Sequence, residues 1–237
     1  MTAPREIRTP RIDNSTRASG YEGVFAALTL PRFARPTGRR ARVVAFEGPN
    51  GAGKTTLCRA LARKLKLPYC LGTDEAWFAR PFKARMIRDA DWHASAMFFL
   101  SGCFEQMRRL RSLRAPMVFM DRSLWSTLAV HAAESSKRLE ALLAMLRPVA
   151  AEIRVPDLTI VLEASFATCQ SRIARKDGAA RALDELTASL AFHSREREFY
   201  RWLAGQAPNI TFLDADSQSP KQVAGSALSL VRDKLRC

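Results

Sequence analysis

The chain has 237 residues, 47% of them hydrophobic, enough to bury one substantial core, with no run near the roughly 20 apolar residues of a membrane helix. Five scattered cysteines (Cys58, Cys70, Cys103, Cys169, Cys237) lack Cys-x-x-Cys spacing, which argues against a disulfide framework or a zinc site, and charged residues stand where a signal peptide would have its apolar core, so a cytoplasmic location is expected. The formal charge of +15 suits polyanionic ligands, small or polymeric; no Lys/Arg cluster interleaved with aromatics marks a single-strand groove, so nucleic acid as a partner rests on charge alone.

Residues 1–40 hold four prolines and eight arginines against three acidic residues, a net of +5, with no sustained period. They read as a basic, disordered N-terminal arm, in which the apolar patch Val24 to Leu30 is suited to dock on a domain spanning 41–237. The domain opens on an apolar strand, Arg42–Glu47, running into Gly48-x-x-x-x-Gly53-Lys54-Thr55, after which Leu57, Ala60, Leu61 and Leu65 mark a helix over Lys54–Lys66. This is a phosphate-binding loop in its required context. Gly48, Gly51 and Gly53 permit backbone angles that turn the N–H groups of Asn50, Ala52 and their neighbours inward. Lys54 places a charge at the β- and γ-phosphates of a nucleoside triphosphate, Thr55 offers a hydroxyl to Mg²⁺, Thr56 follows in the first turn, and the helix presents its positive end.

A short strand, Leu67–Leu71, precedes Gly72-Thr73-Asp74-Glu75-Ala76-Trp77, where a carboxylate could serve as a base or hold a sugar against Trp77, or simply start a helix. A long helix over Asp91–Arg114 leads to the strand Pro116–Asp121. Its end, Asp121-Arg122, supplies an acid for Mg²⁺ and a guanidinium for phosphate, the two groups a phosphoryl-transfer site needs beside its loop. The competing reading is an N-cap followed by a surface charge.

Helices are expected over Ser123–Glu134 and Lys137–Ala150, then a strand over Leu158–Glu163 whose terminal acid ranks second for the metal role. A helix over Phe166–Lys176 brings Arg172, Arg175, Lys176 and Arg181 around a short Gly/Ala stretch, either a lid over triphosphate or a solvated helix end. A helix over Leu183–Ala204, a strand over Ile210–Asp214 and a helix over Pro220–Arg236 complete the pattern. His93, His131 and His193 have no metal-ligand spacing and read as core or surface histidines. Five strands alternating with helices predict an α/β, doubly wound parallel sheet with flanking helices, with ligands at the carboxyl ends of the strands.

Phe46-Glu-Gly-Pro-Asn-Gly-Ala-Gly-Lys-Thr-Thr56, Asp121-Arg-Ser-Leu-Trp-Ser-Thr-Leu-Ala129 and Pro156-Asp-Leu-Thr-Ile-Val-Leu162, followed by Arg172 and Arg175, resemble in series the thymidylate kinase family of P-loop nucleotide kinases. The resemblance covers residue 41 to the end. It implies a five-stranded three-layer sandwich, ATP as donor, Mg²⁺, and a nucleotide acceptor. Lys54 and Thr55 would hold donor phosphate and metal, Asp121 would organise the metal, Arg122 would hold acceptor phosphate, Arg172 would join the donor site, and Arg175 would act catalytically from the lid. Leu213-Asp-Ala-Asp216 would lie beside the adenine, and dimerisation would run through the long helices.

The departures gather on the acceptor side. Asn50 stands where the family has Asp, and Ser123 where it has Tyr. The Arg-Glu-Pro segment is missing near Leu71–Trp77, Phe98 to Gln106 lacks the base-reading arginine, and Ala129-Val130-His131 replaces Ala-Tyr-Gln. A lost charge-assisted bond of roughly 1.5–3 kcal/mol is enough to change substrate choice, which points away from dTMP. A deoxynucleoside kinase, for which Asp121-Arg122-Ser123 is also suited, and a non-kinase ATP-binding regulatory or nucleic-acid-associated protein are the alternatives.

Overall fold

The computed structural model describes residues 24–34, 40–71 and 80–235. Five strands, β1 (Arg42–Glu47), β2 (Tyr69–Leu71), β3 (Met117–Asp121), β4 (Leu158–Glu163) and β5 (Ile210–Asp214), form one sheet in the order β2-β3-β1-β4-β5. Every pairing is parallel. β1, β3 and β4 are nearly continuous apolar runs because both of their faces are covered.

Nine α-helices cover the sheet among the described residues: α1 (Lys54–Leu65), α2 (Arg80–Arg88), α3 (Trp92–Ser112), α4 (Leu124–Glu134), α5 (Ser136–Leu146), α6 (Phe166–Ala174), α7 (Gly178–Glu185), α8 (Leu190–Gln206) and α9 (Pro220–Leu235). One core lies between the sheet and α1 and α9, around Val44, Phe46, Leu61 and Leu228. A second, richer in aromatics, joins α3, α4, α5 and α8. The strand order reverses at β1, which puts the turn after Glu47 at the switch point of the sheet.

All five predicted strands and all seven predicted helices are present, β1, β4 and β5 with the expected bounds, while β2 starts at Tyr69 and β3 at Met117; the larger differences have local causes. The helix expected over Lys137–Ala150 ends at Leu146 and continues as a 3-10 turn, Arg147–Glu152, because Pro148 has no N–H for the α-helical ladder. The helix expected over Leu183–Ala204 is two helices, since Ser189 caps a fresh start by accepting from the Phe192 N–H at 3.1 Å. α2 was not anticipated. Asp74, Glu75 and Trp77 lie outside the described residues, as do residues 1–23 and 35–39 of the basic arm.

Residues 24–34 pack onto the domain. Phe25 is 4% exposed and meets Phe199 and Trp202 of α8 at ring separations of 6.3 and 5.9 Å. Phe33 stands edge-on to Trp125 of α4, and Ala34 donates its N–H to the Ile153 carbonyl at 2.9 Å. Phe25→Ala is expected to cost about 3 kcal/mol, because it opens a cavity in a filled aromatic cluster. Thermal unfolding checks this, and an unchanged midpoint would mean that the strap is only laid on the surface.

Candidate active site

The loop between β1 and α1 owes its course to two glycines. Gly48 has φ +119° and a Cβ there would lie 2.5 Å from the Leu162 carbonyl oxygen; Gly51 has φ +85° and a Cβ would lie 2.5 Å from that of Cys169. No L side chain fits either position. The loop is thereby pressed against the end of β4 and the first turn of α6, and the Ala52 N–H closes it by donating to the Pro49 carbonyl at 3.2 Å.

Lys54 is 5% exposed, and its Nζ donates to the Gly48 and Pro49 carbonyls, both at 2.6 Å. Burial, and then the nearby Arg122 charge, lower its pKa to about 8, against the pull of Glu196, Asp121 and Glu47. The Thr55 hydroxyl donates to Asp121 Oδ2 at 2.5 Å. Asp121 is 6% exposed, and its Oδ1 has no partner among the described residues. Thr56 stands exposed beside Thr55. The register that pairs Phe46 with Asp121 brings the end of β3 against the loop.

Arg122 follows with φ +77°, a left-handed backbone that a bulky residue adopts only when its surroundings impose it. Three contacts do so. Its N–H donates to the Phe46 carbonyl at 3.1 Å, Nη1 donates to Ser126 Oγ at 3.2 Å, and Nη2 donates to Asn50 Oδ1. The surface-charge reading of Arg122 does not describe this side chain. Asn50 in turn donates through Nδ2 to Thr187 Oγ1 at 3.0 Å, so one amide ties the phosphate loop both to Arg122 and to the segment between α7 and α8. A carboxylate at position 50 could not donate that second bond.

Beneath the loop lies a buried polar network that the sequence reading missed. Glu47 is fully buried and accepts from the Ser123 N–H at 2.7 Å, the Ser123 hydroxyl at 2.6 Å, the Tyr200 hydroxyl at 3.1 Å and the Ser126 hydroxyl. Burial raises its pKa. Glu196 on α8 is 4% exposed, and burial raises its pKa too, against the charges of Lys54 and Arg122. The available signal was polar residues at core positions of a helical period: His193, Glu196, Tyr200 and Leu203 all face inward on α8.

The cations expected around the Gly/Ala stretch separate. Arg172 donates to the Ala52 carbonyl at 3.2 Å and the Ala215 carbonyl at 2.8 Å, clasping the phosphate loop to the turn after β5. Arg175 caps α6 and is exposed. Lys176 pairs with Asp184 at 2.5 Å and Arg181 with Glu185 at 2.7 Å, which stiffens the α6–α7 segment. In the Leu213–Asp216 turn, Asp214 accepts from the Asp216 and Ser217 N–H groups and Asp216 from the Ser165 N–H.

Glu163, the competitor for the metal role, lies 3.6 Å from both Arg197 and Arg201, away from Thr55. His93 bonds Asp91 at the start of α3, and His193 bonds the Ala164 carbonyl at 3.0 Å. His131 is 4% exposed beside Trp92, and burial lowers its pKa to about 4. No metal-holding group of three or more His, Cys, Asp or Glu residues occurs among the described residues.

Comparison with known proteins gives a consistent result. Residues 43–195 match the family model described as an AAA domain. A thymidylate kinase of Rhodopseudomonas palustris is 28% identical over 83% of this chain and 90% of its own length. One of Thermomicrobium roseum is 31% identical over 78% and 91%. Among solved structures, a thymidylate kinase from Candida albicans superposes with a TM-score of 0.66 at 18% identity, covering 84% of this chain and 94% of that one. A deoxyadenosine kinase from M. mycoides with bound dATP superposes with a TM-score of 0.61 at 19% identity, covering 83% and 100%.

Proposed function

From the premise that the chain belongs to the thymidylate kinase family of P-loop proteins, with the AAA domain its model describes, we propose an ATP-dependent kinase that passes the γ-phosphate to a nucleotide acceptor other than dTMP. The observation that carries this reading is the joining of the loop to the end of β3: Thr55 bonded to Asp121, and Arg122 held at the loop by Asn50 and Ser126.

Thr55 and Asp121, whose Oδ1 is buried and unpartnered among the described residues, would hold Mg²⁺, which would supply neutralisation of the charge that develops on transfer. Lys54 and the loop N–H groups orient the β- and γ-phosphates. Arg172 braces the loop and the turn beside the donor base. Arg175 completes the charge from the lid once that segment closes. Arg122 holds the acceptor phosphate in line for attack.

A phosphate acceptor needs no base, because its attacking oxygen is already ionised. A hydroxyl acceptor does need one, and the fully buried acid at this site, Glu47, is taken by four donors. Glu47 is therefore not that base, and the nucleotide reading rests on Arg122 as the holder of an acceptor phosphate; Asp74 and Glu75, the carboxylates a nucleoside would call on, lie outside the described residues. The same reading places the enzyme in the cytoplasm; no helix among the described residues is long and apolar enough to cross a membrane. Met97 and Phe104, exposed one above the other on α3, suit pairing with a second copy.

ADP formation from Mg·ATP with a panel of nucleosides, nucleoside monophosphates and phosphorylated sugars tests the reading. Stimulation by monophosphates alone is expected. Stimulation by nucleosides would favour the deoxynucleoside kinase alternative, and ATP binding with no stimulation by any acceptor would favour a nucleotide-switched regulator.

The lowered Lys54 pKa adds a pH dependence. The folded value lies below the ordinary 10.5, so the charge that ATP needs is present below about pH 8 and is lost above it. ATP affinity is expected to be flat to about pH 8 and then to weaken by up to about tenfold per pH unit until the bound form also titrates. Calorimetric titration across pH 7–9.5 measures this. Lys54→Met should flatten the slope, and a slope that persists in the variant would assign it to another group.

A further inference from the structure

The edge of the sheet opposite the site carries a surface that the transfer reaction does not use. In this parallel sheet the helices return toward the amino ends of the strands, so α1, α3 and α9 all finish there. Each finishes in cations: Arg63 and Lys64, then the cap Lys66; Arg109 and Arg111, then Arg114 before β3; Arg232 and Lys234. Lys64, Lys66, Arg111, Arg114, Arg232 and Lys234 are all exposed, and none has a carboxylate within 4.0 Å among the described residues.

β2 is an edge strand, paired only with β3, and its first residue, Tyr69, is 43% exposed. Lys66 precedes Tyr69 by three residues, a backbone reach of at most about 11 Å. Arg114 lies three residues before the start of β3, whose Phe119 N–H bonds the Pro68 carbonyl beside Tyr69 at 3.1 Å. The fold therefore brings the cations at the ends of α1 and α3 to an exposed aromatic ring, while those ending α9, which packs on α1, β4 and β5, extend the basic surface away from the ring along the same ends of the strands. The sequence shows no such interleaving, because only the return of the helices to one edge creates it.

We propose that this edge binds single-stranded nucleic acid, with the cations tracking phosphates and Tyr69 stacking on a base. Part of each helix-end charge is explained by the helix dipole. That does not account for an exposed ring placed beside exposed cations from the ends of two helices. Nor does steering of the small substrate account for it, since the catalytic groups lie at the other ends of the strands. A single ring without an amphipathic helix suits a chain of phosphates with stackable bases better than a lipid surface.

Fluorescence anisotropy of the full chain with a labelled 20-nucleotide single strand, from 50 to 200 mM salt, is the test. About six phosphate contacts predict a log–log slope near −4, a loss of roughly several-hundred-fold across that range. Lys64→Glu with Lys66→Glu, and separately Arg111→Glu with Arg114→Glu, should each weaken binding at least thirtyfold; Tyr69→Ala should weaken it roughly tenfold. ADP formation should stay unchanged in all three. Arg85→Glu with Lys221→Glu, the same change in net charge away from this edge, should leave affinity within about threefold. Equal loss in that control, binding only to phosphatidylserine vesicles, or no binding at 50 mM salt would each overturn the proposal, and two independent charge pairs guard against a variant that fails to fold.

Discussion

Lys54→Ala is expected to lower kcat by on the order of 10³ while shifting thermal stability by little. The catalytic loss follows from position. The Nζ is buried at the loop, within reach of its own carbonyls, so its charge acts in a medium that screens poorly. Removing one preorganised donor to transferred charge typically costs 10²–10³, and here the lost group is also a full charge. Two effects oppose each other in stability. The Gly48 and Pro49 carbonyls lose a donor, but a cation whose pKa burial has already lowered to about 8 is no longer held in a desolvated place. Steady-state ADP formation with a saturating acceptor reads the first effect and a thermal melt the second. Activity within tenfold of the parent would remove Lys54 from the chemistry. A collapsed midpoint with lost activity would make the loss structural instead.

The donor half of this site was legible in the sequence because backbone requirements are written in residue types. Gly48 and Gly51 are demanded by contacts that no Cβ survives, and Lys54-Thr55 follows at fixed spacing in a strand-to-helix turn. β1 and β4 begin and end where the apolar runs do, since a strand covered on both faces reads as a continuous apolar block; the bounds of β5, a partly buried edge strand, follow its own short run between Asn209 and Ala215. What could not be read was the long-range closure of polar groups. Glu47, Ser123, Ser126 and Tyr200 are spread over more than 150 residues, and no local pattern says that one carboxylate will collect four donors from the other three, or that Asn50 will meet Thr187. Arg122 was read through its neighbours Asp121 and Ser123, yet its partners come from the phosphate loop and from α4. Propensity likewise placed a single helix over Leu183–Ala204, where the Ser189 cap, a local competitor for backbone bonds, makes two.

Glu47→Ala is expected to be the most destabilising single substitution near the site, at about 4 kcal/mol. In a chain of this size that lowers the unfolding midpoint by on the order of 10 °C. Four donors lose their acceptor at once, and none can turn to water where the carboxylate is fully buried. Glu47→Gln keeps the shape but places an amide N–H₂ where two of those donors point, so an intermediate loss of about 2–3 kcal/mol is expected. Tyr200→Phe removes one bond and strands no donor, for about 1 kcal/mol. The order of the three separates a hydrogen-bonding role from a charge role. If Glu47 mattered chiefly as an ion balancing Lys54 and Arg122, the neutral glutamine would behave like alanine. If it mattered as an acceptor, glutamine would fall between alanine and the parent. The same series reads function, because Ser126 bonds both Glu47 and Arg122. Loosening Glu47 frees Ser126 and with it the strained Arg122 backbone, so KM for the acceptor should rise in step with the stability loss, while the KM for ATP, set by the loop glycines and Lys54, moves less.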